Sequence, residues 1–190
     1  AKLAWVAWRH PQLPWDGTEL WVADLDANAQ LHHARHVAGS TTESIMQPQW
    51  HSDGTLYFIS DRSNWWNLYC ERAGQIEAVA PINAEIGGPQ WVLGACDYGF
   101  LADGTIVCIY TEQGFDHLGL IAPGSQTVQP VPCAYTTLGS LATDGATLWV
   151  IGGGPTQHQT LFTLQPQTGV ITPVRVSFTD NTLDERFIAH

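Results

Sequence analysis

Asp53-Gly54-Thr55-Leu56-Tyr57-Phe58-Ile59 is a turn dipeptide feeding an apolar, aromatic and β-branched run, the local chemistry of a tight turn into a strand. The chain writes the phrase again as Asp103-Gly104-Thr105-Ile106-Val107-Cys108-Ile109, and a third time as Asp144-Gly145-Ala146 before Leu148-Trp149-Val150-Ile151. A second apolar phrase follows each one: Leu68-Tyr69, Leu118, and Leu161-Phe162. The opening residues hold the same two phrases in Leu3-Ala4-Trp5-Val6 and Leu20-Trp21-Val22. The repeat distance is roughly 40–50 residues, with several short strands per unit, which is the signature of a β-propeller.

Spacing within the units predicts an all-β fragment of about four blades, each a four-stranded antiparallel sheet, with the first blade lacking its innermost strand. The blades are expected at about 1–39, 40–80, 81–132 and 133–176, followed by a tail or linker at 177–190. Strands are predicted at Leu3–Trp8, Glu19–Leu25 and Leu31–Val37 in the first. The second has Ile45–His51, Thr55–Ser60, Asn67–Arg72 and Gln75–Ala80. The third has Ala95–Leu101, Thr105–Thr111, His117–Ala122 and Thr127–Val131, and the fourth Leu138–Thr143, Thr147–Gly152, Thr160–Gln165 and Val170–Val176. Helical periodicity is nearly absent. In an up-and-down blade the short Asp-Gly turns fall on one face. The segments Arg9–Gly17, Asp61–Trp66, Glu112–Asp116 and Gly152–Gln159 fall on the other, and they read as long loops suited to binding.

Composition narrows the partners. The 190 residues carry 18 acidic against 7 basic side chains, a net charge of -11, so the basic patch that nucleic acid or an anionic membrane surface requires is missing. No stretch approaches the roughly 20 apolar residues of a membrane span. The chain opens inside an apolar run without an initiator Met and reads as a piece of something longer. Cys70, Cys96, Cys108 and Cys133 are scattered without a C-x-x-C pair, which points to reduced structural thiols and a cytoplasmic setting.

Two stretches are specific beyond the repeat. Residues 3–25 contain Pro14-Trp15-Asp16-Gly17-Thr18-Glu19-Leu20-Trp21, and residues 49–69 contain Ser60-Asp61-Arg62-Ser63-Asn64-Trp65-Trp66-Asn67-Leu68-Tyr69. Both closely resemble the propeller of the prolyl oligopeptidase family of serine peptidases, in its acylaminoacyl-peptidase and dipeptidyl-peptidase-like bacterial branch. The resemblance is strong up to about Ile121 and thin beyond it, and the repeat itself also looks TolB-like. The family resemblance implies a C-terminal α/β-hydrolase domain in the same parent chain as partner, with a peptide as substrate. It also implies a role for this segment as the cap that screens and binds that peptide. The sequence contains no Gly-x-Ser-x-Gly nucleophile elbow, so the segment itself is expected to be catalytically inert. A free-standing interaction propeller of the TolB type is the alternative, and a metal-dependent hydrolase propeller a third.

Candidate binding or interface residues are Trp15, Asp16, Asp61, Arg62, Trp65 and Trp66. Arg62 offers a planar fork for a carboxylate and the indoles offer rigid contact area. The competing reading has Asp61 and Arg62 pinning their own turn and the indoles covering a neighbouring blade. His32, His33 and His36 invite a metal, but strand alternation puts His32 and His33 on opposite faces, with no carboxylate at ligand spacing. Asp97, Asp103 and Asp116 near the blade mouths invite a calcium ion, although the Asp-Gly turn already accounts for Asp103. No catalytic residue, metal site or cofactor is assigned.

Overall fold

The computed structural model describes residues 1–92 and 94–178. Those residues form strands and turns only. The first sheet has β1 (Lys2–Ala7), β2 (Glu19–Leu25) and β3 (Leu31–Gly39); the second has β4 (Ile45–Trp50), β5 (Leu56–Ser60), β6 (Asn67–Arg72) and β7 (Gln75–Ala78). The third has β8 (Tyr98–Phe100), β9 (Ile106–Glu112), β10 (Phe115–Ile121) and β11 (Gln129–Val131). The fourth has β12 (Thr137–Thr143), β13 (Leu148–Gly154), β14 (Gln157–Gln165) and β15 (Val170–Val176). All four sheets are antiparallel meanders, the blades of a β-propeller fragment, and the first lacks one strand as its sequence predicts. Most of the 177–190 tail, from residue 179 on, lies outside the described residues.

The chain divides into two compact units, Ala1–Gly94 and Ala95–His190. Within the first, Leu56 and Phe58 of β5 share one core with Ala4, Val6, Leu20, Val22 and Ala38 of the first sheet. Within the second, Val107 and Ile109 of β9 meet Leu148 and Val150 of β13 around Phe162 and Leu164. Successive side chains on a strand point to opposite faces, so Leu56 and Phe58 of β5 pack toward the first sheet, while Val107 and Ile109 of β9 and Leu148 and Val150 of β13 pack toward each other. That division explains why the phrase is apolar throughout rather than alternating: an inner strand covered on both faces needs apolar residues at every position. β5 meets the condition, with all five residues buried.

The repeated turn is held by its aspartate. Asp53 Oδ1 accepts the Thr55 amide at 2.8 Å, Asp103 Oδ1 accepts Thr105 at 2.9 Å, and Asp144 Oδ1 accepts Ala146 at 2.9 Å. Gly54, next in line, sits at φ +88°, where an L side chain is strained. The Thr55 amide, joined by His51 Nδ1 at 2.9 Å, holds the Asp53 carboxyl down to about 2. A carboxyl depressed below its unfolded value of about 3.9 stabilises the fold above that value and loses its contribution as pH falls through the folded one. The stability gap between the native chain and Asp53→Asn should therefore shrink as pH is lowered from about 4 toward about 2. Urea titrations across that range check it, and a constant gap would contradict it.

The outer strands are blunted against edge pairing by several devices. β11 and β15 carry Pro130 and Pro173, β7 is four residues long, and β3 has two register shifts. One shift corrects the alternation expected for the histidines. His33 takes φ +55°, and pairing steps from Val22↔Arg35 to Asp24↔His32. The two rings consequently stand 6.3 Å apart, with His32 on Asp26 at 2.9 Å and His33 on Asp24 at 3.0 Å. Both pairs are solvent-exposed at the outer edge of the sheet.

Candidate functional site

Only two of the four segments read as long loops are loops. β9 and β10 meet over Gln113-Gly114, both at positive φ, and β13 and β14 meet over Pro155-Thr156. In each case the strands simply run on to a two-residue hairpin turn, so Glu112–Asp116 and Gly152–Gln159 offer little loop surface. The candidate surface is therefore in the first unit, where residues 8–18 and 61–66 are true loops.

One buried serine brings those two loops together. Ser44, wholly buried in the connector from β3 to β4, donates Oγ to the Pro14 carbonyl at 2.9 Å. Its amide donates to Asp61 Oδ1 at 2.8 Å, and the Asp61 amide returns a bond to the Ser44 carbonyl at 3.3 Å. The loop of Trp15 and Asp16 and the loop of Asp61, Arg62, Trp65 and Trp66 thus hang from the same post. Beside it Thr18, also buried, donates Oγ1 to the Ile45 carbonyl at 2.8 Å and ties the two sheets together.

Within the second loop, Arg62 is committed to its own sheet. Its Nε and Nη2 reach Glu43 Oε1 at 3.0 and 2.8 Å, Ser60 Oγ donates to the same oxygen at 2.7 Å, and the guanidinium lies 5.1 Å over the Tyr69 ring. This is the turn-pinning arrangement. Asp61 is the electrostatically unusual member: burial pushes its carboxyl above the ordinary range, against the opposing pull of the Ser44 amide and the Trp66 indole, and Glu43 nearby adds to the rise. Asp16 closes its own turn by accepting the Leu13 amide at 2.8 Å.

The indoles divide into two settings. Trp15 packs on Trp91, with ring centroids 4.5 Å apart, and Trp91 itself is 78% exposed. Trp65 is exposed, whereas Trp66 is half-buried against the connector that follows β7: its amide donates to Glu85 Oε2 at 2.6 Å and its carbonyl accepts the Ile86 amide at 2.7 Å. Sequence reading found the loops but missed Glu43, Ser44, Glu85 and Trp91. Trp91 sits in a segment with no repeat phrase, and a buried serine or a glutamate that anchors a neighbouring loop leaves no pattern in the chain.

Two of the three acidic residues weighed for calcium are spent elsewhere. Asp103 holds its turn. Asp116 accepts Thr111 Oγ1 at 2.6 Å and the Leu138 amide at 2.8 Å, which fastens the β9–β10 hairpin to β12. Among the described residues no group of three or more His, Cys, Asp or Glu side chains is placed to hold a metal ion, and no helix is long and apolar enough to cross a membrane. A cleft of about 380 Å³ on the fourth sheet is lined by Thr137, Ser140, Gly152 and Gln157 among others, with no titratable side chain.

Neither protein-family models nor curated sequences match this chain. Solved structures do. A puromycin-hydrolyzing peptidase of Mycobacterium tuberculosis is 33% identical over 96% of this chain, with a TM-score of 0.89. Puromycin hydrolase is 26% identical over 98% of it, also at 0.89. Prolyl oligopeptidase B from Galerina marginata shares the fold, at 16% identity and a TM-score of 0.69. The chain spans 28% of the length of each of the first two and 24% of the third.

Proposed function

We propose that this chain, which belongs to the prolyl oligopeptidase family as a segment of its propeller, works as a non-catalytic cap that admits and positions peptide substrates for a hydrolase domain in the same polypeptide. The observation that carries the reading is the match itself: nearly the whole chain aligns, yet onto little more than a quarter of each puromycin-hydrolysing relative. Absence of a Gly-x-Ser-x-Gly stretch from all 190 residues agrees with a catalytic serine lying elsewhere. The full-length protein is, on this reading, a serine peptidase acting on short peptide amides. Four scattered cysteines with no C-x-x-C pair favour a cytoplasmic setting.

The working surface is the loop edge of the first unit. Trp15 with its neighbour Trp91, and Trp65 and Trp66 with Asp61 between them and Ser44, give it rigid apolar area and one carboxylate destabilised by burial. Such a carboxylate gains most from an incoming cation, which suits the ammonium terminus of a peptide. Arg62 acts through Glu43 as a positioning residue for this loop.

In the full-length gene product, Trp15→Ala and Trp66→Ala should each raise KM for a short peptide amide about tenfold with kcat nearly unchanged, as expected when a substrate contact remote from the reacting bond is lost. Steady-state kinetics with a tripeptide amide check this. Unaltered KM in both variants would remove this edge from the substrate path.

A further inference from the structure

Three sheets carry four strands and the first carries three. In the complete sheets the strand equivalent to β1, namely β5, β9 or β13, is paired on both sides; among the described residues β1 is paired with β2 alone. Its backbone phase is fixed by the Ala1–Leu25 pair, which exchanges both bonds: Leu25 N donates to Ala1 O at 2.8 Å and Ala1 N to Leu25 O at 3.0 Å. Antiparallel pairing alternates, so Leu3, Trp5 and Ala7 turn their amides and carbonyls toward β2. Lys2, Ala4 and Val6 turn theirs toward the open edge, although Ala4 and Val6 are already half-buried against the core.

A second, independent observation falls at the same place. The indole Nε1 of Trp50, in β4, is buried without an acceptor among the described residues. Its ring packs in the core cluster with Ala4 and Val6, and the Lys2 ammonium stands 5.7 Å above it. A buried donor left unpaired is costly, and native structures seldom leave one so.

We propose that a strand from outside residues 1–190 of the same polypeptide lies antiparallel against β1, pairs with the backbone of Lys2, Ala4 and Val6, and supplies the acceptor for Trp50 Nε1. The repeat selects this occupant over a second copy of the chain. In the other sheets the inner strand, β4, β8 or β12, directly precedes its partner in sequence and joins it through the Asp-Gly turn. Similar solved chains have several times the length matched here, so such chain exists in them. The inference rests on the repeat and on backbone pairing, and it stands or falls apart from the peptidase reading.

Site-resolved amide exchange on the full-length gene product tests it. The expected result is that Ala4 and Val6 exchange as slowly as Trp5 and Ala7, whose amides face β2, with the Trp50 indole N–H protected alongside them. Ala4 and Val6 exchanging more than about 100-fold faster than Trp5 and Ala7 would overturn the proposal, since unpaired edge amides open at little cost. Protection of Ala4 and Val6 that rises with protein concentration would also overturn it, assigning the edge to a second copy.

Discussion

Gly39→Ala should cost the fold about 4 kcal/mol or more, enough to unfold a marginally stable domain. Gly39 ends β3 opposite Glu19, at φ +91°, and a Cβ there would stand 1.9 Å from the Thr18 carbonyl oxygen and 2.8 Å from Ile45 Cγ1. The obstacle is backbone that is itself fixed, because Thr18 bonds Ile45 through its side chain and Glu43 through its amide. Relief would require shifting Thr18, which ties the first sheet to the second at this seam. Gly74→Ala provides the control: Gly74 has a similar φ of +81° but nothing within 4 Å of the added carbon. It should lose only the left-handed penalty of about 1–2 kcal/mol. Urea unfolding of both variants separates the causes, and equal losses would show that the seam yields.

Asn67→Ala should cost about 3 kcal/mol, the sum expected when one buried side chain abandons several backbone groups. Asn67 is wholly buried at the start of β6. Its Oδ1 accepts the Ile82 amide at 2.8 Å, and its Nδ2 donates to the carbonyls of Ile82 at 3.0 Å and Ala84 at 3.3 Å. Alanine leaves all three groups buried without their partner. The same bonds seat the connector that carries Glu85 and Trp91, so the loss reaches the candidate site: Glu85 no longer holds the Trp66 amide, and Trp91 drifts from Trp15. Asn67→Asp does not rescue, since a carboxylate accepts from Ile82 but offers the two carbonyls no donor. Urea unfolding combined with limited proteolysis of residues 79–92 checks both halves. An Asn67→Ala variant of native stability with an uncut connector would mean that the seat lies elsewhere.

The architecture was legible because its signal is periodic and local. Asp-Gly turns and apolar runs recur wherever a strand must be covered on both faces, and β2, β6 and β15 match their expected bounds residue for residue. Errors arose where pairing overrides composition. The polar residues of Glu112–Asp116 resemble a loop in sequence, yet Gln113-Gly114 is a hairpin turn whose flanks keep pairing with each other. His32 and His33 alternate on paper, but one residue at positive φ resets the alternation. The site was half legible. Aromatic-rich loops announce themselves, whereas the bonds that assemble them, from Ser44 to Pro14 and Asp61 or from Glu85 to Trp66, join residues 17 to 30 positions apart and leave no trace in local composition.

On the function proposed above, these residues cap a serine peptidase whose catalytic serine lies elsewhere in the polypeptide. Labelling the active full-length gene product with an alkyl fluorophosphonate and mapping the adduct by mass spectrometry decides where that serine lies. One modified serine is expected, outside residues 1–190, within a Gly-x-Ser-x-Gly elbow, with hydrolysis lost in step with its labelling. An adduct on a serine within residues 1–190, or hydrolysis that persists with no serine labelled, would contradict it.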